Sequence, residues 1–468
     1  MNSPANFDVI VIGSGPGGYV AAIRAAQLGF KTAVVEKDPK LGGTCLHVGC
    51  IPTKSMLHSA DLLEHAKKSA KFGVKISGIE LDFPGVQSRK DDVVSKMARG
   101  VEFLMKKNQV TVLTGHGRIA GKGMVSVTSK EGQVQNYAAK FTLLATGSVC
   151  KDIPAFPVDH KTILSSDSIM RLQTQPKSMI VIGAGAVGIE FASCFHRYGT
   201  KVTVIEMMPT ILPIEDEEIS RELERILKRS GIDILTSTKV EKVEKTDAGV
   251  KVTIKTEKGE AKVLEGETLL SAVGRSAVTG DVGLQNTNIK LDRGLVPVDS
   301  FMRTTEPGVY AIGDIVATPW LAHVASAEGI LAVEHMAGKE VKPINYDRVP
   351  NCTYCSPEVA SVGLTEKKAK ERGYEVKVGK FPFSALGKAT ILDEGHGMVK
   401  VVVDKKYDEV LGIHIVGPHA TDLIAEGVAV LELETTAEYM AHIMHPHPTI
   451  SEAVVEAVHA ALGHAIHI

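Results

Sequence analysis

The sequence predicts an α/β fold: two Rossmann-like nucleotide-binding domains plus an α+β C-terminal dimerisation domain. Three features carry that expectation. A strand, a glycine turn, a helix and a second strand ending in an acid are written twice, 170 residues apart. Apolar strands alternate with helical patterns as far as residue 350. Beyond it come antiparallel-looking strands, MVKVVVDKKYDEVLGIHIVG (398–417), and then three helical stretches, which marks a further domain.

Composition bounds the function. The 468 residues suffice for about three domains. With 53 Lys and Arg against 55 Asp and Glu, the net charge of −2 offers no basic field to nucleic acid or an anionic membrane. No apolar run approaches the roughly 18 residues of a membrane span. The opening MNSPANFDVIVIGSG lacks a basic region and a small-residue cleavage site, so no signal peptide or leader is expected. Six cysteines are too few to staple a secreted chain of this length, which favours a reducing compartment, cytoplasmic or an organelle matrix.

The repeated unit is IVIGSGPGGYVAAIRAAQLGFKTAVVE (10–36) and IVIGAGAVGIEFASCFHRYGTKVTVIE (180–206), identical at 11 of 27 positions. In each copy the first glycine (Gly13, Gly183) makes a tight turn and the second (Gly15, Gly185) lets backbone approach a pyrophosphate. The third (Gly18, Gly188) lets helix pack on strand. The helix N-terminus then presents N–H groups and partial positive charge to phosphate. Glu36 and Glu206, each 23 residues beyond the first glycine, are placed to hydrogen-bond a ribose. A single such fingerprint is compatible with a close-packed turn alone; recurrence of the whole unit predicts two dinucleotide sites.

Between and after the copies, residues 44–72 read as one helix and 91–108 as another, and 110–149 alternate as strands closing on FTLLATGS. A loop, KDIPAFPVDHK (151–161), precedes the second copy. A charged helix (216–230), strands within 232–272, the segment AVGR (272–275), an apolar strand GVYAIGD (308–314) and a helical AEGILAVEHMAG (327–338) follow.

Two dinucleotide sites in one chain suggest two cofactors exchanging electrons. Cys45 and Cys50, in GGTCLHVGCIPTK, begin nine residues after Glu36 and so belong to the first site. Zinc would need two more ligands, and two buried structural cysteines are the plainer alternative. A helix N-terminus beside a nucleotide favours the thiolate that disulfide exchange requires. His442, His445 and His447 have no companion carboxylate or cysteine at ligand spacing, so no metal is expected.

GGTCLHVGCIPTK resembles the active-site signature of the flavin disulfide oxidoreductases, the class I pyridine nucleotide-disulfide oxidoreductases. GSGPGGY, ATGS, GAGAVGIE, AVGR, AIGD, LAHVASAEG, SPEVASVG and HPHPTISE fall in the family's order along essentially the whole chain. The resemblance implies FAD on Gly13, Gly15, Gly18, Glu36, Thr146, Gly147 and Asp314, and NAD on Gly183, Gly185, Gly188, Glu206 and Gly274. It implies that Cys45 meets the substrate and Cys50 lies against the flavin, with Lys54 near the flavin and paired to Glu190. The reaction implied is oxidation of a protein-bound dihydrolipoyl dithiol with NAD+, on lipoyl domains and the E2 core of 2-oxoacid dehydrogenase or glycine cleavage complexes.

The pattern HPxxxE implies His447 as the base that deprotonates the dithiol, oriented by Glu452. Thr449 to Glu452 also reads as a capping box before an apolar helix. His445 reads as structural. The resemblance further implies a homodimer in which His447 reaches the cysteine pair of the other subunit; from the residues alone, the apolar stripe after HPHPTIS could equally be buried in its own chain. The implied domain limits are 1–149 and 276–349 for FAD and its return segment, 150–275 for NAD and 350–468 for the interface.

Glu206 favours NAD over NADP, because a 2′-phosphate would face a carboxylate. Residues 207–213 contain no Arg, which glutathione reductases place there. No cysteine follows 355, where mercuric reductases have an extra pair. Cys352 and Cys355 depart from the family pattern and are expected to be buried strand cysteines. Two other readings compete: an NADH-linked flavoprotein reducing dyes or quinones, and a subunit that only binds a lipoyl-bearing core.

Overall fold

The computed structural model describes residues 6–468; the reading of the N-terminus as leaderless rests in part on residues 1–5, which lie outside them. The chain divides into two compact units. One takes the chain up to Ser55, Gln87–Lys151 and Arg275–Tyr346; the other takes Met56–Val86, Asp152–Gly274 and Asp347–Ile468.

The first unit is built on a sheet with the strand order 111–114, 32–36, 6–12, 134–144, 124–128, 116–121, with Val309–Ala311 also pairing on 134–144. The long strand Val134–Leu144 runs parallel to Asn6–Ile12 at one end and antiparallel to Met124–Thr128 at the other. Val9 to Ile12 are buried on both faces, hence the unbroken apolar run in the sequence. Helix Pro16–Gln27 covers this sheet with Ala21, Ala22 and Ala25. Its start touches helix Ala322–Met336 backbone to backbone: a Cβ on Gly17 would lie 2.8 Å from the Ala325 oxygen.

In the second unit a parallel sheet has the order 233–235, 201–205, 178–182, 268–271, 163–164, and an antiparallel one has 351–353, 358–363, 410–417, 398–404, 376–382. One apolar cluster reaches both, bringing Phe191 and Phe195 of helix Ala186–Tyr198 together with Val359 and Val416, while the antiparallel sheet packs most of its apolar residues in a cluster of its own. The final helix, Glu452–Ala461, buries Ala453, Val454, Ala457, Val458 and Ala461. Gly379 admits it closely, since a Cβ there would lie 1.9 Å from the Ala457 oxygen. The apolar stripe is thus spent within its own chain.

The expected helix over 44–72 is two helices, Gly43–Val48 and Cys50–Lys68, broken at Gly49 and followed by a 3-10 turn. The break folds tightly: a Cβ on Gly49 would meet the Thr44 oxygen at 2.9 Å. The helix expected at 91–108 begins at Phe83, because Asp82 accepts the Gly85 N–H and Pro84 needs no partner in a first turn. GVYAIGD is extended only over Val309–Ala311, as Gly313 turns with φ +70°. Cys352 lies in a strand but is half-buried. Cys355 is buried in the following turn, its thiol donating to the Pro357 oxygen at 3.1 Å. Among the described residues no helix is long and apolar enough to cross a membrane.

One buried cation ties the second unit together. Lys400, 2% exposed in its side chain, places Nζ 2.9 Å from Asp216, 2.6 Å from Glu218 and 2.8 Å from Glu366. Asp216 also caps helix Glu217–Ser230. Burial works against the Lys400 charge, but the three carboxylates raise its pKa. Lys370 and Lys400 together push the Glu366 carboxyl down to about 2. The raised amine stabilises fully below its ordinary 10.5 and loses this as pH rises through the folded value. The lowered carboxyl stabilises above its ordinary 4.5 and loses this as pH falls toward 2. Lys400→Met is expected to cost up to roughly 3–5 kcal/mol by stranding the buried Asp216 carboxylate, since Glu218 and Glu366 are partly exposed and keep Lys380 and Lys370. Denaturation midpoints should show the deficit largest and level between those two ordinary values, shrinking outside them.

Candidate active site

The two glycine turns share their geometry. Gly13 and Gly183 take φ of +105° and +101°, and a Cβ on either would strike the oxygen of Ala145 or Ala272 at 2.3 and 2.5 Å. A Cβ on Gly18 or Gly188 would lie 2.0 Å from the oxygen of Gly13 or Gly183. At Gly15 and Gly185, by contrast, a Cβ would meet nothing within 4 Å. Those two positions face open space, and neither helix that starts there has a side-chain cap. An arrangement of this kind suits phosphate oxygens, for which first-turn N–H groups would be the donors.

The strand-end acids anchor each turn alike. Glu36 accepts the Ser14 N–H at 3.0 Å and the Asp38 N–H at 2.9 Å; Glu206 accepts those of Ala184 at 2.6 Å and Met208 at 2.8 Å. The residues a dinucleotide requires are therefore present twice, each acid at the strand end where a ribose hydroxyl would be bound. In the first unit, Asp314 follows the Gly313 turn and accepts the Ser148 hydroxyl at 2.5 Å. Ser148 in turn accepts from Arg275 Nε at 2.7 Å, and Thr146 donates to the Val278 oxygen at 2.7 Å. Gly147 turns with φ +68° and Gly274 with +109°.

The cysteine pair abuts the first turn. A Cβ on Gly43 would lie 2.7 Å from Gly15 Cα, and the Gly42 N–H donates to the Ser14 oxygen at 3.1 Å. Cys45 follows two residues later, and Cys50 opens the 19-residue helix Cys50–Lys68. The two side chains hydrogen-bond. That bond, followed by burial, raises the Cys45 thiol, while the charge of Lys54 pulls the other way. Glu190 lies in the second unit, buried and not solvated, accepting the Tyr354 N–H at 2.9 Å.

The two oxygens of Glu452 go to different partners. Oε1 is 2.8 Å from His447 Nδ1 and Oε2 accepts the Thr449 N–H at 2.8 Å. Partial burial opposes it, but these two partners keep the Glu452 carboxyl below its ordinary pKa. The expected capping box does not form: the Thr449 hydroxyl donates to the Pro446 oxygen, and the helix starts at Glu452 itself, with Ser451 at the cap position and no side-chain cap bond. Glu452 fixes the ring so that Nδ1–H donates and Nε2 can accept a proton; the side chain is 79% exposed.

His445, two residues earlier, is 7% exposed in its side chain, with Nδ1 on the Ile443 oxygen at 3.0 Å and Nε2 on Glu426 at 2.8 Å. Both partners only accept, which favours the protonated ring, and the Glu426 bond raises its pKa. Sequence reasoning missed Ser14, Ser148, Arg275, Glu328 and Glu426. Glu328 left a trace, spaced with Val324, Leu331 and Ala332 on one buried helix face. Among the described residues no cluster is suited to a metal ion.

The pyridine nucleotide-disulphide oxidoreductase model matches residues 7–329, and its dimerisation domain matches 349–458. The dihydrolipoyl dehydrogenase of Bacillus subtilis (strain 168) is 47% identical over 98% of this chain and 99% of its own length. The mitochondrial dihydrolipoyl dehydrogenase of Pisum sativum is 43% identical over 98% and 92%. The crystal structure of LpdA from Mycobacterium tuberculosis superposes with a TM-score of 0.90 at 26% identity, over 97% of this chain and 99% of that one.

The glycines of the second turn should separate folding from binding. Gly188→Ala is expected to lower the melting temperature, because its methyl meets backbone at 2.0 Å. Gly185→Ala should fold normally and raise the Kd for NAD+, read by calorimetry.

Proposed function

The chain belongs to the pyridine nucleotide-disulphide oxidoreductases, and we propose that its reaction is that of a dihydrolipoyl dehydrogenase, oxidation of a protein-bound dihydrolipoyl dithiol to the disulfide with NAD+. The observation that carries this reading is the Cys45–Cys50 pair, hydrogen-bonded and set against the phosphate cradle of the first glycine turn. FAD held on the first turn would supply a two-electron acceptor beside the thiols, and NAD+ held on the second would supply a hydride acceptor.

The chain's own residues move sulfur and protons. His447 Nε2 takes a proton from the dithiol, and the resulting thiolate attacks Cys45 of the oxidised pair. The Cys45–Cys50 bond breaks and Cys50 leaves as thiolate. The second substrate sulfur displaces Cys45, closing the lipoyl disulfide and leaving two electrons in the cysteine pair. The proton of the second substrate thiol passes to the displaced Cys45, whose raised pKa favours holding it, and Cys50 carries the charge, at the positive end of a helix.

We further propose a homodimer in which His447 of one copy serves the cysteine pair of the other. Leu433, Tyr439 and Met444, at 78%, 71% and 94% exposure, support it, since all three lie in the stretch matched by the dimerisation model. Lipoyl domains and the E2 core of 2-oxoacid dehydrogenase complexes are the proposed partners, and the cytoplasm the proposed compartment.

A visible spectrum tests the reading. A yellow protein that gains a long-wavelength band on two-electron reduction by dihydrolipoamide supports it; a colourless protein overturns it. His447→Gln is expected to lower lipoamide turnover by about 100- to 10,000-fold, with NADH-driven dye reduction intact. Unchanged lipoamide turnover would remove His447 from the reaction.

A further inference from the structure

Helix Ala322–Met336 buries small and apolar residues, and among them one acid with no surface exposure at all, Glu328. Its Oε2 accepts the Gly313 N–H at 2.7 Å and its Oε1 the Tyr346 hydroxyl at 2.9 Å. Every one of these partners can donate, so the carboxyl oxygens are the common acceptor at the centre. Gly313 turns there with φ +70°, which places Asp314 next in the chain, and Asp314 is held from its other side by Ser148.

The neighbour of Glu328 touches the other half of the cradle. A Cβ on Gly329 would lie 2.7 Å from the Gly17 oxygen, in the first turn of the helix whose N-terminus faces the phosphate space. One helical segment, 328–329, thus fixes both the Asp314 turn and the phosphate helix. Burial first, with the charge of Asp314 adding to it, raises the Glu328 pKa. An acid in such a place is unfavourable for stability unless its acceptor geometry is needed. An apolar residue would fill the space but strand the Gly313 N–H.

We propose that Glu328 is a positioning residue for the flavin: by holding the Gly313 N–H it sets the Asp314 turn against the phosphate helix, and so governs how tightly FAD is bound and what surroundings the flavin ring meets. This rests on the reading that the first glycine turn carries FAD.

The test uses the full chain as wild type, Glu328→Ala and Glu328→Gln. FAD is removed and titrated back, and the flavin absorption bands of each holoprotein and the melting temperature of each FAD-free form are recorded. Glu328→Ala is expected to raise the Kd for FAD roughly tenfold, which is about 1.4 kcal/mol and of the order of one lost hydrogen bond, and to shift the flavin bands. Glu328→Gln keeps an acceptor oxygen for Gly313 and should return the Kd to within about threefold of wild type.

An alanine variant that loses only FAD-free thermal stability, with Kd and bands unchanged, overturns the proposal. So does a glutamine variant as weak for FAD as alanine. A wild-type chain that takes up no FAD would instead overturn the reading on which it rests.

Discussion

In each glycine turn the carbonyl of the first glycine stands 2.0 Å from where a Cβ on the third would be, so the turn closes only without side chains there. The helix beyond it starts without a side-chain cap, and its first N–H groups are left for phosphate. The acid that ends the following strand then braces the turn from behind, through backbone N–H groups at 14 and 38 in one copy and 184 and 208 in the other. The offset of 170 seen in the sequence is preserved down to single hydrogen bonds. The placement of the cysteines follows from this constraint, because the segment that carries them packs its Gly43 onto Gly15.

The thiol and the base are prepared by different means. Cys45 and Cys50 are brought together by a chain reversal at Gly49 that starts a long helix at Cys50, so the geometry is local. His447 is exposed and is oriented by a carboxylate five residues away, while the loop that bears it is anchored by the part-buried hydrogen bond between His445 and Glu426. Glu452 divides its oxygens between the His447 ring and the Thr449 N–H, so it orients the ring and braces the turn that bears it, while the helix itself starts without a side-chain cap.

Buried charge recurs where elements must be held in register. Lys400 joins the acid that caps helix Glu217–Ser230 to the antiparallel sheet, and Glu328 joins a helix to the turn above it. Such groups are unfavourable in isolation and are kept where their full set of partners converges. They favour one arrangement over others that would bury the same apolar area.

The sequence by itself determined the doubled nucleotide unit, the cysteine pair, the His447–Glu452 partnership and the change of architecture near residue 350. All of these are patterns within some 30 residues, where chain connectivity fixes spacing. Only the tertiary structure decided that Gly49 splits the cysteine helix, that the C-terminal stripe is buried in its own chain and that Glu452 serves two partners. It alone also disclosed Ser148–Asp314, 166 residues apart, and Lys400–Asp216, 184 apart. The physical reason is range: helical and strand periodicity report which face of an element is buried, but not which polar group from a distant segment will meet it there.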